Sequence, residues 1–174
     1  MLRTLFTTSA CVASLLSATP AFADDTALLL VNEAWRTDRI AAGADRGAVA
    51  ARIAADFPGI FGTPEQTRAR IVELRGGEVQ HRAKGDLGYG EIYISLVLAQ
   101  ALAKSSSMQG DEALNRILAR RAEGKGWERI AHDLALKLGP VLARAHSGND
   151  RLAKAFDPVE GQPKTGQPER AGKS

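Results

Sequence analysis

The residues of this chain that are best suited to acid–base chemistry lie between positions 81 and 91. His81 and Glu91 flank a glycine-rich stretch in which Tyr89 is the only aromatic side chain. Near the start of a helix the pKa of a carboxyl group is lowered, which suits a general base better than a general acid. One hypothesis is therefore a hydrolase in which Glu91 is the general acid or base of a cleft lined by His81 and Tyr89.

Other groups of reactive residues lack the spacing that their chemistry requires. Glu128 and His132 share a helix face and could hold a metal, but such a pair is also ordinary on a helix surface, and the chain has no HExxH motif. Residues 85–90 lack the GxxxxGK(S/T) spacing of a phosphate-binding loop. The serines at 105–107 lack the G-x-S-x-G context of a nucleophile. We therefore assign no catalytic, cofactor-binding or metal-binding residue, and we expect a protein that is not an enzyme.

The first 23 residues predict the compartment in which the protein works. Arg3 is followed by an apolar run over residues 5–18, and small residues stand one and three places before a cut after Ala23. This pattern is typical of a secretory signal peptide. Cys11 lies inside this segment, but the residues before it lack the leucine of a lipoprotein signal. We expect cleavage after Ala23 and a periplasmic or secreted mature protein.

Charge and hydropathy limit the partners of the mature chain. The chain has 23 Lys and Arg against 20 Asp and Glu, and removal of Arg3 with the signal leaves 22 − 20 = +2. This balance gives no reason to expect nucleic acid or an acidic membrane as a partner. After residue 23 no apolar run approaches the roughly 20 residues that span a bilayer. We expect no nucleic-acid partner and no membrane span.

The apolar spacing predicts an all-α fold, a small bundle of about six helices formed by residues 24–156. The stripe Leu28, Val31 and Trp35 begins it, and Thr63 with Gln66 forms a capping box that starts the third helix. The segment 92–103 has strand-like residues, but its length and alanines favour a helix. Residues 157–174 are rich in Pro, Gly, Gln and Lys and are expected to be disordered. Helices are expected over 26–42, 46–57, 64–76, 92–103, 111–122 and 127–138, with a last one reaching 156.

Two glycine-containing motifs carry a resemblance to a known family. One is the GYGE at 88–91 before the apolar segment, and the other is GKGWERIA at 124–131 followed by KLGPV at 137–141. Together with residues 57–74 they resemble a family of uncharacterised exported bacterial proteins with a GYG(E/N) turn and a GxGWxxIA…KLGPV helix. The resemblance implies an exported helical domain and supplies no catalytic residues. The chain departs from it at Ala135, where glycine is expected, and in a shorter segment between 103 and 114.

The same motifs have a purely structural interpretation. Glycines 124 and 126, and likewise 88 and 90, would adopt positive φ in short connections. Tyr89 and Trp127 flank these turns, where core aromatic residues often lie, although either could instead be an exposed anchor for a partner. We expect both aromatic rings to be buried.

Two alternatives to a binding protein remain. Residues 124–141 resemble a helix-turn-helix, whose second helix lies in the DNA major groove, but Glu128 and Asp133 would stand on that helix and export would separate it from the chromosome. The other alternative is an envelope hydrolase that uses Glu91 and His81. We expect a non-enzymatic binding or structural module of the cell envelope, with an unidentified protein or envelope component as its partner and no cofactor.

Overall fold

Seven α-helices form the regular structure of residues 24–76 and 87–156, which are the residues that this computed structural model describes. No strand occurs within these two ranges, so the all-α prediction is confirmed. Residues 1–23, which are predicted to be a signal peptide, His81 and residues 157–174 lie outside the described residues. The helices are α1 (Asp24–Ala41), α2 (Arg46–Asp56), α3 (Pro64–Gly76), α4 (Tyr89–Ser106), α5 (Gly110–Ala122), α6 (Trp127–Asp133) and α7 (Leu138–Phe156).

Helix α4 is the centre of the bundle, and it settles the choice between helix and strand for residues 92–103. Every side chain over residues 92–99 is buried, because α4 packs against α1, α3, α5 and α7. A helix that is apolar on all sides is stable only when neighbours cover all sides. None of the described helices combines the length and the apolar character needed to cross a bilayer.

The second and third helices form as their sequence signals predict. Val49, Ile53 and Phe57 form one fully buried stripe along α2. At the start of α3, the Thr63 amide donates to Oε1 of Gln66 at 2.8 Å, and the Gln66 amide donates to Oγ1 of Thr63 at 3.3 Å. These two bonds satisfy backbone donors that have no partner inside the helix, which is the purpose of a capping box.

Helix α1 packs through a different face from the one that its large apolar residues suggest. Leu28 is 60% exposed and Trp35 is 65% exposed, whereas Leu30, Ala34 and Thr37 are buried. α4 approaches the backbone of α1 closely at Ala34. Leu28 and Trp35 therefore face away from the core, contrary to what their spacing indicates, whereas Val31 of the same stripe is partly buried and packs against the core.

The close approach of α1 and α4 explains one of the glycines. A Cβ on Gly90 would overlap the backbone of Ala34, so only glycine lets the two helices meet there. The prediction of positive φ is confirmed at Gly124, which has φ +80. The same prediction is wrong for Gly90, which is helical, and for Gly88 and Gly126. The last two are N-caps with φ −60 and −67, an extended backbone that any residue adopts.

The single helix expected over residues 127–138 is in fact divided. α6 ends at Asp133, and Ala135 adopts φ 53. The Leu136 amide donates to the Ala131 carbonyl at 2.8 Å and the Ala135 amide to the His132 carbonyl at 3.0 Å, the two bonds of a Schellman motif. This motif turns the chain, and the next helix then begins at Leu138.

The KLGPV segment also predicts that Gly139 ends this helix and that Pro140 suits the start of a new one. The first part is wrong and the second is confirmed, since both residues lie in the first turn of α7. Proline is tolerated there because the first N–H groups of a helix have no partner inside it. The spacing of apolar residues gives no sign of the break between α6 and α7, because Leu134 and Leu138 continue the period of α6 across it. Both side chains are only partly buried.

Polar side chains join α1 to α7 along one side of the bundle. Thr37 Oγ1 donates to Asn149 Oδ1 at 2.6 Å, and Asn149 Nδ2 donates to the carboxylate of Glu33 at 2.7 Å. The same carboxylate lies 2.8 Å from Nδ1 of His146, whose pKa is raised chiefly by this contact. Because Thr37 and Asn149 are fully buried, each needs the other as a hydrogen-bond partner.

A second polar cluster ties the end of α2 to α4 and α7. The buried carboxylate of Asp56 accepts from the Tyr93 hydroxyl at 3.1 Å and from Nε of Arg151 at 2.9 Å. The Asp56 carbonyl accepts from the guanidinium of Arg144. Burial, followed by the neighbouring Asp56 charge, raises the pKa of Tyr93 above its usual range, so the phenol stays protonated and donates.

Candidate functional site

An open groove of about 400 Å³ lies between the C-terminal half of α4 and the start of α7. The segment that links α6 to α7 forms its end wall. Most of its lining is aliphatic, and its volume is within the roughly 300–1,000 Å³ typical of small-molecule sites. It is lined by Val97, Gln100, Ala101, Lys104, Ser105, Ala135, Leu136, Lys137, Pro140, Val141 and Arg144.

The groove exists because small side chains face each other across two helices. Ala101 on α4 is opposite Pro140 and Val141 on α7, and none of these fills the space between the helix axes. The Schellman turn at Ala135 then directs Leu136 toward the same space instead of continuing α6. The short side chains on α4 and α7 and the left-handed conformation of Ala135 therefore leave an apolar cleft between the two helices.

The two helices run antiparallel along the groove. Tyr93 on α4 meets Gly148 on α7, and further along α4 Lys104 lines the same groove as Lys137. Lys104 is 11 residues beyond Tyr93 on α4, which is about 16 Å of helix. Lys137 directly precedes α7, whose first residue is about 15 Å of helix from Gly148. Lys104 and Lys137 are therefore at the same end of the groove.

The charges that line the groove are all positive. Lys104, Lys137 and Arg144 contribute to the lining, and no Asp or Glu from residues 24–76 and 87–156 does so. Within the described residues, neither lysine forms an ion pair, unlike Arg36, which contacts Asp150 at 2.7 Å. Both lysines are exposed, so their charges are available to a ligand.

Arg144 differs from the two lysines because its charged group is already engaged. Its guanidinium donates to the Asp56 carbonyl and lies 5.2 Å from the centre of the Phe57 ring. Arg144 lines the groove, and its guanidinium is bonded to the end of α2. The groove is therefore cationic at the lysine end and mainly aliphatic toward Arg144.

A smaller cavity of about 250 Å³ lies on the other side of Gln100 and Lys104, which line both spaces. Ile60 and Met108 contribute apolar surface to it, and it too has no Asp or Glu in its lining. Lys104 therefore stands between two cavities that contain no negative charge.

Glu91, the residue proposed above as an acid or base, forms an ion pair between two helices. Its Oε1 lies 2.8 Å from an Nη of Arg121 on α5. The same guanidinium stacks 4.2 Å from the centre of the Trp127 ring and donates to the Lys125 carbonyl at 2.8 Å. In these contacts Glu91 fixes Arg121 over the indole. Because His81 lies outside the described residues, the proposed Glu91–His81 cleft stays a prediction.

Both aromatic residues of the glycine motifs are buried, as expected. Trp127 is 2% exposed and Tyr89 is 7% exposed. The Tyr89 hydroxyl donates to the Arg46 carbonyl at 3.0 Å, and the Gly90 amide donates to Oδ1 of Asp38 at 2.9 Å. The GYGE turn thus joins the start of α4 to α1 and α2, which is a structural role.

The residues considered for metal binding are spread over the surface. His132 is exposed, and its Nδ1 is 3.8 Å from Asp133. Glu128 is partly buried, and this burial raises the pKa of its carboxyl group. No group of three His, Cys, Asp or Glu within residues 24–76 and 87–156 is placed to hold a metal ion. On α6, Asp133 contacts Lys125 and Arg129 at 3.1 and 3.0 Å, so the helix-turn-helix segment carries internal ion pairs.

The sequence reasoning did not identify the groove. Its residues come from α4, the α6–α7 link and α7, and no single motif contains them. The available signal was the KLGPV segment, where a lysine, a glycine and a proline follow Ala135. Comparison of the chain with protein-family models, with curated proteins and with solved structures finds no match.

Proposed function

We propose that this protein is an exported, non-enzymatic binding module that holds an aliphatic ligand in the groove between α4 and α7. The observation that supports this proposal is the lining of the groove, which is largely aliphatic, open to solvent and without a carboxylate. Ligand sites in proteins usually combine an apolar lining with a few polar groups that fix orientation. The groove has this composition.

Two further features favour binding over catalysis. The contacts of Glu91 are the Arg121 ion pair and the packing that it supports, which accounts for the position of this carboxylate without a reaction. Among the described residues, no Asp, Glu or His lines the groove, so the described part of the lining has no side chain that commonly acts as a general base near neutral pH.

Export is the part of the proposal that depends on residues 1–23. Its support is the pattern of Arg3, the apolar run and the small residues before Asp24. Mass spectrometry of the native protein should find a chain that begins at Asp24 in the periplasmic or secreted fraction. An intact chain in the cytosol would contradict this part of the proposal.

The binding activity is tested with a neutral apolar dye, N-phenylnaphthylamine, whose emission increases in an apolar environment. We expect saturable binding to the full mature chain. Ala101→Trp should weaken binding about tenfold or more, because the indole would fill the groove. Ala69→Trp is the control, since Ala69 is an exposed residue on α3. Absence of dye binding, or equal binding by both variants, would refute the proposal.

A further inference from the structure

We infer that the ligand of the groove is a single-chain amphiphile whose anionic head group lies between Lys104 and Lys137. This inference rests on the proposed function, to which it adds the chemical class and the orientation of the ligand. It follows from the positions of the charges along the groove, and it does not depend on any motif.

The charge distribution selects an anion. Two exposed lysines line the groove, and no carboxylate lines it or pairs with either lysine within the described part of the chain. The N-terminal turn of α7 lies at the same end and adds the partial positive charge of a helix start. An anionic group placed there would meet three favourable electrostatic contributions and no nearby negative side chain among those that line the groove.

The antiparallel arrangement of α4 and α7 determines the orientation. Lys104 is about 16 Å along α4 from the Tyr93–Gly148 contact, and Lys137 directly precedes the first residue of α7, about 15 Å of helix from the same contact. The two lysines are therefore at the same end of the groove. Between that end and Arg144 the lining is formed by aliphatic residues such as Ala101 and Val141. A ligand with its head at the lysines would therefore place its chain along these residues.

Arg144 limits the ligand to one anionic group. Its guanidinium is already bonded to the Asp56 carbonyl and lies over the Phe57 ring. A second anion at that end would have to displace these contacts. A volume of about 400 Å³ also suits one chain of medium length better than a two-chain lipid.

The test compares three ligands with the same ten-carbon chain, decanoate, decan-1-ol and decyltrimethylammonium, by isothermal titration calorimetry below their micelle concentrations. We expect decanoate to bind about tenfold more tightly than decanol, and the cation to bind most weakly. Raising the salt concentration should weaken binding of decanoate and leave binding of decanol unchanged, since exposed charges are screened.

The variants test which side chains bind the head group. Lys104→Gln combined with Lys137→Gln should weaken decanoate binding about tenfold and leave decanol binding unchanged. The matched control is Lys154→Gln combined with Arg68→Gln, which removes the same net charge at two exposed residues outside the groove lining. This control should bind decanoate as the wild type does.

The proposed function and the inference about the head group are contradicted by different results. If none of the three ligands and no neutral dye binds, the proposed function is refuted. If decanol binds as tightly as decanoate, or if the Lys104 and Lys137 variant keeps its preference for decanoate, the groove is a binding site but the inference about the anionic head is wrong. Binding to vesicles of anionic phospholipid without binding to free decanoate would also overturn it.

Discussion

The hydroxyl of Tyr93 occupies the space that a side chain at residue 148 would need. A Cβ on Gly148 would overlap this hydroxyl, which donates to the Asp56 carboxylate at 3.1 Å. Tyr93 and Gly148 therefore fix how closely α4 and α7 pack. The contact also determines the width of the groove that opens further along the same two helices.

Gly148→Ala should destabilise the protein by about 2–3 kcal/mol, since a buried methyl group would have to displace the tyrosine ring. Gly139→Ala is the control on the same helix, because a Cβ there meets nothing within 4 Å, and it should be neutral or stabilising by up to about 1 kcal/mol. Urea denaturation measures both. Adding Tyr93→Phe to Gly148→Ala should recover part of the loss, and equal effects at residues 148 and 139 would contradict the contact.

Ala135→Gly should stabilise the protein by about 0.5–1 kcal/mol, because Ala135 has φ 53 and glycine adopts this region without a steric cost. The reciprocal change is Gly124→Ala. Gly124 has φ +80 and open space around its Cβ, so this variant should lose a similar amount through backbone strain alone. Thermal unfolding measures both, and a loss of stability in Ala135→Gly would show that Ala135 is not strained.

The contact between His146 and Glu33 should make stability depend on pH near neutrality. The carboxylates of Glu33 and Asp150 raise the pKa of His146 above its usual range. A group whose pKa is raised by folding stabilises the folded state below its unfolded pKa, and this stabilisation is lost as the pH rises through the folded pKa. His146→Gln should therefore reduce stability more at pH 6 than at pH 8. Urea midpoints at the two pH values provide the measurement, and an equal reduction at both would contradict the contact.

The Glu91–Arg121 ion pair should contribute about 0.5–1 kcal/mol of coupling, because both side chains are partly exposed and solvent screens them. A double-mutant cycle of Glu91→Gln and Arg121→Gln by urea denaturation measures this energy. In a Trp35→Phe background the remaining tryptophan is Trp127, and its emission should shift in the Arg121 variant because the stacked guanidinium is removed. A coupling energy of zero with unchanged emission would show that the pair does not form.

Much of the fold could be predicted because its signals are local. The capping box at Thr63 and Gln66 depends on residues three positions apart, and the buried stripe of α2 follows from helical geometry alone. The burial of Tyr89 and Trp127 was likewise expected from their positions beside glycine turns. Each of these features depends on neighbours in the chain, so a single sequence contains the information.

The errors occurred where two distant segments decide the outcome. Leu28 and Trp35 have helical spacing, but α4 contacts the face of α1 that carries Ala34, where Gly90 meets the α1 backbone without a Cβ between them. The apolar period of residues 127–138 continued across a Schellman turn whose defining feature is the backbone conformation of Ala135. Spacing gives the period of a helix, but not which face is covered or where the chain turns.

The same difference between local signals and contacts of distant segments applies to the candidate site. The helical period, the apolar character of α4 on all sides and the basic residues Lys104 and Lys137 can be recognised without a structure. That these two lysines line one groove follows from the antiparallel packing of α4 and α7, since they are 33 positions apart in the chain. Local preferences are set by nearby residues, whereas a binding site depends on which helix faces become neighbours when the chain buries its apolar surface.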